Sequence, residues 1–501
     1  MHSSLKFLLP RVALLLAAAG ALPSGLAQIG TRFPSEKKVV PDPVTGVPIT
    51  FLTTAAKGDS KIYQTHHQWT ADGKWLVFRS NRVPGEAMAV NEETGVMVQV
   101  TEGGYSGMLC LADNTMNLYF LRVPYERPAP PMQGGEPSVP PPPRAADAVA
   151  PAAGVPQRPG GGFGNRGRQT GPAQIIRVDL GKLFADSAAG KLQKVSAYEK
   201  VCGEIPVEWG TGGDMALDCT EEYAYFRVGK EESARHLAPD VKPAEPYGPR
   251  NMGAGPNGLG RMNLKTGEIK FIVAVPFQIG HVQTNPWVPG EIVFCWETGG
   301  KAPQRTWTVQ GDGTGLRPLF PEASYDWVTH EAVVSKDYAA VAILSHRRIK
   351  IPGENTAEND GPGQGDAWGA NGTGEHPTGL AMINLRTREM RIAGQVPIGD
   401  PGRSVWHVGG SPDGRWAVAD DFKYRLWLYD LTNGESIMLA DLGSMTTAAD
   451  HIHPTFSADS TRIQVQTAML AHGEQKRAMN IAVVPVPESW LKRTYPKRIV
   501  P

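Results

Sequence analysis

Seven times along the 501-residue chain, a strand pattern, a tight turn and further strand patterns recur in the same order. From Tyr63, HQWTADGKWLVFRSNR gives two strands about a turn at Asp72 and Gly73, followed by MAVNEETGVMVQVTEGG. Comparable units begin near Tyr105 (GMLCLADNTMNLYFLRV, then QIIRVDLGKL), Val207 (EWGTGGDMALDCTEEYAYFRV, then GRMNLKTGEIKFIV) and His281 (HVQTNPWVPGEIVFCWE, then RTWTVQGDGTGLRPL). The last three begin near His330 (HEAVVSKDYAAVAILSH, then LAMINLRTREMRIA), His407 (HVGGSPDGRWAVADDF, then RLWLYDLTNGESIMLA) and His453 (HPTFSADSTRIQVQT, then MNIAVVPV). Each unit holds four short strands with turn residues between them and no helical periodicity. Four-stranded units returning about every 40 to 45 residues predict an all-β, seven-bladed β-propeller over residues 61–490. Two stacked sandwiches would not bring similar phrases back in register.

The flanks are read separately. Residues 1–27 have a basic start (Lys6, Arg11), an apolar run from Val12 to Ala18 and small residues at Gly25 and Ala27, which reads as an export signal. The run is too short to cross a bilayer, so a periplasmic or secreted protein with no membrane span in its mature chain is expected. Residues 28–60 are a lead-in and 491–501 a tail. Residues 125–171, rich in Pro and Gly, cannot bury enough apolar surface to order themselves and read as a disordered loop within the second blade. A second insertion, 351–379, carries Trp368 and His376 and is either a flap over a site or a solvated loop. Fifty basic residues balance fifty acidic ones without a cluster, which argues against a nucleic-acid partner. Four cysteines are too few for a disulfide scaffold. Cys202 and Cys219 flank a strand pair and are open to bridging, whereas Cys110 and Cys295 lie in apolar strand patterns as buried thiols. The oligomeric state is not set by any of these features.

Asp450 to Thr467, DHIHPTFSADSTRIQVQT, opens with His451 and His453. In extended chain, residues i and i+2 share a face, so both imidazoles can meet one point. Such a pair is either half of a metal site or a turn cap beside a satisfied surface histidine, because a transition metal needs three or four ligands. The rest of the chain favours the metal. His66, His67, His281, His330, His407, His451 and His453, seven of the twelve histidines, fall at the opening of a repeat unit. In a propeller those openings face the central channel.

The phrases GHVQTNPWVPGEIVFCWETG, THEAVVSKD, WHVGGSPDG, DHIHPTFSADS and VPVPESW resemble, in this order, the oligogalacturonate lyase family of seven-bladed propellers. TADGKWLVF, RVDL and NLKTGE resemble it too but are shared by many propellers. In that family three histidines and a glutamine hold a manganese ion, and the resemblance implies His330, His451 and His453 as metal ligands and His281 as the catalytic residue. Three departures accompany it: Ala448 stands at the glutamine position, Gly258 at a substrate-binding arginine, and Trp296 replaces a histidine in FCWETG. Water, Gln283, His407 or Asp450 can complete the metal shell. Arg250 is a candidate replacement cation. Arg261, offset by three residues from the matched position, would face the other way on a strand.

The resemblance implies β-elimination on a uronate-bearing oligosaccharide. A divalent cation, Mn2+ foremost with Ca2+ or another divalent ion open, would bind the C6 carboxylate as a Lewis acid. A neutral His281 would take the weakly acidic C5 proton. His281 is alternatively a histidine bonded to a loop carbonyl or a fourth ligand, and His330 a strand cap. His407 is open between supporting a ligand, touching substrate and neither, while Tyr325, Trp327 and Trp406 are either sugar platforms or buried aromatics. The rival expectation is a non-catalytic propeller of the TolB type that binds a protein or peptide on the same face.

Overall fold

A computed structural model describes residues 28–124, 169–246, 252–298, 302–323, 326–346, 371–397, 404–442, 452–470 and 478–495. Seven antiparallel sheets follow one another along the chain, one per repeat unit, and make a seven-bladed propeller. In the fourth blade the strands are Ile279–Thr284, Glu291–Trp296, Thr306–Gln310 and Arg317–Pro318, hydrogen-bonded in that order from the channel outwards.

The strands are unusually apolar for antiparallel sheets. Ala87–Asn91 (AMAVN), Gly379–Asn384 (GLAMIN) and Trp416–Asp421 (WAVADD) are buried almost throughout, because each blade is covered on both faces by its neighbours. The core is accordingly a series of layers between blades. One layer packs Trp416, Leu426 and Leu428 of the sixth blade against Ile49, Phe51 and Val465 of the seventh. The recurring turn phrases TADG, SPDG and SADS have one chemistry. In each, a Thr or Ser hydroxyl donates to an Asp carboxylate two residues on, at 2.6 Å for Thr70–Asp72, 2.7 Å for Ser411–Asp413 and 2.5 Å for Ser457–Asp459.

Part of the lead-in closes the ring. Pro48–Phe51 pairs with Asn480–Pro485, and Lys38–Pro41 pairs outside it, so the seventh blade takes its outer strands from the chain start and its inner three from the end. Arg32–Phe33 adds an outermost strand to the first blade. Two helices interrupt the pattern. Leu180–Ala189 is capped by Asp179, which accepts from Lys182 N, and by Gly190 at φ 65°. Lys230–His236 packs against the third blade. No helix among the described residues is long and apolar enough to cross a membrane.

The residues flanking both insertions belong to paired neighbouring strands. Asn117–Arg122 pairs with Ala173–Asp179, and Tyr338–His346 with Gly379–Asn384. Most of 125–171 and 351–379, and all of the export signal, lie outside the described residues. All four cysteines are free thiols, Cys202 and Cys219 included.

Candidate active site

The innermost strands carry a shared irregularity. Register shifts interrupt Ser106–Leu111, Ile279–Thr284, Asp326–Ser335 and Val405–Gly410 near their starts. At such a bulge an extra residue is left out of the ladder and its side chain is re-aimed. In the second blade the bulge residue is Gly107, at φ 75°, where an added Cβ would meet the Gly213 carbonyl at 1.9 Å. In the fourth and fifth blades it is a histidine: His281 at φ 52° and His330 at φ 56°. His453, just ahead of Thr455–Phe456, has φ 51°. Left-handed backbone costs a non-glycine residue about 1 to 2 kcal/mol, and such strain gathers at functional sites.

His330, His407 and His453 come together from three successive blades. The ring centroids are 4.1 Å apart for His330 and His407 and 4.2 Å for His407 and His453. Every one of these rings has a partner at Nδ1. His330 Nδ1 donates to the Trp406 carbonyl (2.7 Å), His407 Nδ1 meets the Asp420 carboxylate (2.8 Å), and Gln466 Nε2 lies 3.2 Å from His453 Nδ1. His407 is wholly buried, and burial, reinforced by Lys61 and His281, holds its pKa well below the ordinary imidazole value. The Asp420 contact orients that ring. Trp406 stacks on Phe422 with centroids 4.5 Å apart. Beneath the cluster, Lys61 Nζ donates to Thr455 Oγ1 (2.7 Å), and the Lys61 backbone N–H donates to Gln466 Oε1 (3.0 Å). Burial depresses the Lys61 ammonium strongly.

His281 faces a second group of charges. Its Nδ1 lies 3.0 Å from Glu331 Oε1 and its Nε2 3.5 Å from Glu297 Oε2. Arg305 reaches Glu331 Oε2 at 3.3 Å, Glu297 Oε2 at 3.5 Å and His281 Nδ1 at 3.4 Å. Burial alone would depress His281, but Glu331 and then Glu297 outweigh it and the net pKa is raised above 6.5. Burial likewise opposes ionisation of Glu331, yet Arg305 and His281 bring it down to about 2. Tyr63, from the loop after the first innermost strand, separates the two groups, its ring 4.8 Å from His281 and 5.0 Å from His453.

Among the described residues, donor atoms of His281, Cys295 and Glu331 lie close enough to share a metal ion. Arg305 already occupies the charge position between Glu331 and His281, and burial pushes the Cys295 thiol well above its ordinary pKa, away from the thiolate a metal needs. The His330, His407 and His453 rings form a second group of imidazoles beside it.

The structure thus brings His281, His330, His407 and His453 to one end of the channel and sets Trp406 at its wall. The Gln283 side chain is used elsewhere: it donates to the Glu331 carbonyl (3.0 Å) and accepts from Val333 N (2.8 Å), joining the fourth blade to the fifth. Trp327 is buried in its strand. His66 and His67 line a separate cavity with Leu111, Leu217 and Thr284, the closing residues of three innermost strands, at the opposite mouth. There His66 bonds the Met215 carbonyl and His67 pairs with Asp113. His451, Ala448, Asp450, Tyr325 and Arg250 lie outside the described residues.

Two of the departures, at Gly258 and Trp296, have physical reasons. A Cβ on Gly258 would stand 2.6 Å from the Phe271 ring and 2.9 Å from Ser233 Oγ, so the helix Lys230–His236 and its Phe271 contact fill the space. Trp296 donates to the Gly253 carbonyl (3.0 Å) and stacks on Phe277 (5.0 Å). Arg261 reaches the Gly311 carbonyl and covers Tyr223. Glu331, Arg305, Glu297, Tyr63, Lys61 and Gln466 escaped the sequence reading. Only Glu331 carried a local signal, its place beside His330 in the HE phrase.

No protein-family model matches this chain, and no curated protein matches it. Among solved structures, an oligogalacturonate lyase in complex with manganese aligns with TM-score 0.61 and 18% identity, covering 93% of this chain and 100% of that one. An oligogalacturonate lyase from Vibrio parahaemolyticus aligns with TM-score 0.60 and 16% identity, over 93% and 100% of the two chains. The chain therefore resembles these oligogalacturonate lyase structures in fold, across their whole length.

Proposed function

We propose that this chain is an exported, metal-dependent lyase that cleaves uronate-containing oligosaccharides by β-elimination, with His281 as the base. The observation that carries the reading is the convergence of His281, His330 and His453, all in left-handed backbone, on one end of the channel. The fold likeness to a manganese-bound oligogalacturonate lyase supports it. A propeller of the TolB type that only binds a protein or peptide has no use for three strained histidines.

His330, His407 and His453 would hold a divalent cation, and for Mn2+, a harder ion, oxygen donors such as water and the substrate carboxylate would complete the shell. Groups fixing Nδ1 orient ligating rings. His451 is the further ligand that the sequence resemblance implies. When bound, the ion would supply positive charge for the uronate carboxylate. His281 Nε2 takes the C5 proton, the C4–O bond breaks as the C4–C5 double bond forms, and the leaving oxygen is protonated from water. With His281 neutral, the Glu297, Glu331 and Arg305 group carries one net negative charge. Accepting the proton neutralises it, which favours proton uptake. Because His281 must be neutral to act and its pKa is raised, kcat/KM is expected to climb with pH to above 6.5. Chelator-treated protein reloaded with Mn2+ should produce a metal-dependent ultraviolet absorbance rise on galacturonate or glucuronate oligomers. Metal-loaded protein that leaves both kinds of oligomer intact would count decisively against the lyase.

The Gln466 amide bears on metal affinity. With its oxygen on Lys61 N–H, it presents nitrogen to His453 Nδ1, whereas coordination through Nε2 places the His453 proton on Nδ1. Gln466→Glu offers Nδ1–H an acceptor while keeping one for Lys61 N–H. Calorimetric Mn2+ binding is expected to tighten in that variant, and an unchanged affinity would mean that the group at His453 Nδ1 does not govern ligation.

A further inference from the structure

We propose that Glu331, clamped by Arg305, is the positioning residue for His281, and that the His330-Glu331 pair ties the base to the imidazole cluster. The proposal rests on the reading of His281 as base. His330, at φ 56° where the register shifts, and Glu331 send consecutive side chains to opposite neighbours. His330 bonds the Trp406 carbonyl of the sixth blade, while Glu331 bonds His281 of the fourth. Consecutive strand residues point to opposite faces, and in a propeller those two faces meet different blades.

Glu331 is held more completely than an ion pair alone requires. Its carboxylate is fully buried and divides its oxygens, Oε1 to His281 Nδ1 and Oε2 to Arg305 Nε. Its backbone carbonyl accepts from Gln283, whose own oxygen accepts from Val333 N. Arg305 alone would satisfy the buried charge. The additional bond to His281, whose side chain is 16% exposed, extends this rigid support to a ring that reaches the channel. A carboxylate at Nδ1 fixes the tautomer that leaves Nε2 able to accept a proton, and it stabilises the imidazolium that results.

The charged and titratable groups around His281 are Glu297, Cys295 and Arg305 from its own blade, Glu331 from the fifth, Tyr63 and His66 from the first and His407 from the sixth. Glu331→Gln retains shape and an acceptor for Nδ1–H but removes the charge. In the full-length protein, kcat/KM is expected to fall about 10- to 100-fold with bound metal unchanged, and the ascending limb of its pH profile to move to lower pH. A purely structural role would lower activity equally at all pH values. A second readout does not need activity. The His281 imidazole resonances, identified by their loss in His281→Ala, should titrate at lower pH in Glu331→Gln and at higher pH in Arg305→Met. Either variant alone decides the matter if the other does not fold, and an unmoved midpoint overturns the proposal. Wild-type protein without lyase activity but with these shifts would refute the function and leave the positioning intact.

Discussion

His281→Ala is expected to lower lyase turnover by about 10²- to 10⁴-fold while leaving divalent metal binding in place. General acid–base catalysis by one positioned side chain supplies a factor of that size. The metal should stay because His281 stands across Tyr63 from His330, His407 and His453, and its Nδ1 is committed to Glu331. The variant leaves Arg305 to satisfy Glu331 and Glu297, so no buried carboxylate is stranded. Alanine inherits the φ of 52°, which costs it about 1 to 2 kcal/mol, whereas glycine takes that conformation freely. His281→Gly should therefore match or exceed the stability of His281→Ala and be equally inactive. Single-turnover assays on saturating uronate oligomers, with metal content measured on the same samples, check both statements. Undiminished turnover in either variant would move the base elsewhere, and Glu297, 3.5 Å from the displaced Nε2, would be the first group to test.

The ring and the gathering of histidines were legible in the sequence because both follow from periodicity. A unit that returns in register must stack as blades, and a residue type that recurs at the opening of the unit must line the channel. His281, His330, His407 and His453 follow that logic. His66 and His67 do not, because they follow the two-residue strand Ser60–Lys61 and so reach the mouth opposite the one where the others meet. The direction in which a side chain leaves a bulge has no sequence signature, so Glu331 looked like a strand residue and its contact with His281 was hidden. Arg305 was hidden for a different reason. It enters from the connection between the second and third strands of its blade, a place the repeat does not mark. Lys61 and Gln466 meet only because the first and last blades are neighbours, a contact 405 residues apart that periodicity cannot see.

That same junction sets the second large effect: Phe51→Ala is expected to cost about 3 to 5 kcal/mol of stability. Phe51 is completely buried, in the layer that also holds Ile49, Trp416, Phe456 and Val465. Its strand supplies the pairing Phe51 to Ala482 and Thr50 to Val483, through which the chain start is hydrogen-bonded into the last blade. Two further bonds lock the hairpin to the sixth blade, Thr45 Oγ1 to the Leu439 carbonyl (2.8 Å) and Asp441 N to Asp42 Oδ2 (2.9 Å). Opening this blade separates Lys61 from Gln466 and Thr455, and Tyr63 from His453, so loss of closure reaches the site directly. Urea unfolding of Phe51→Ala should show the lower midpoint, with Mn2+ affinity of the folded fraction reduced as the last blade loosens. A loss below about 1 kcal/mol would mean that the pairing of this shared strand, rather than the packing of Phe51 between blades, holds the ring shut. Removing residues 28–51 should be far more severe than the point change, because it deletes three strands, the outermost of the first blade among them, and exposes the whole outer edge of Asn480–Pro485.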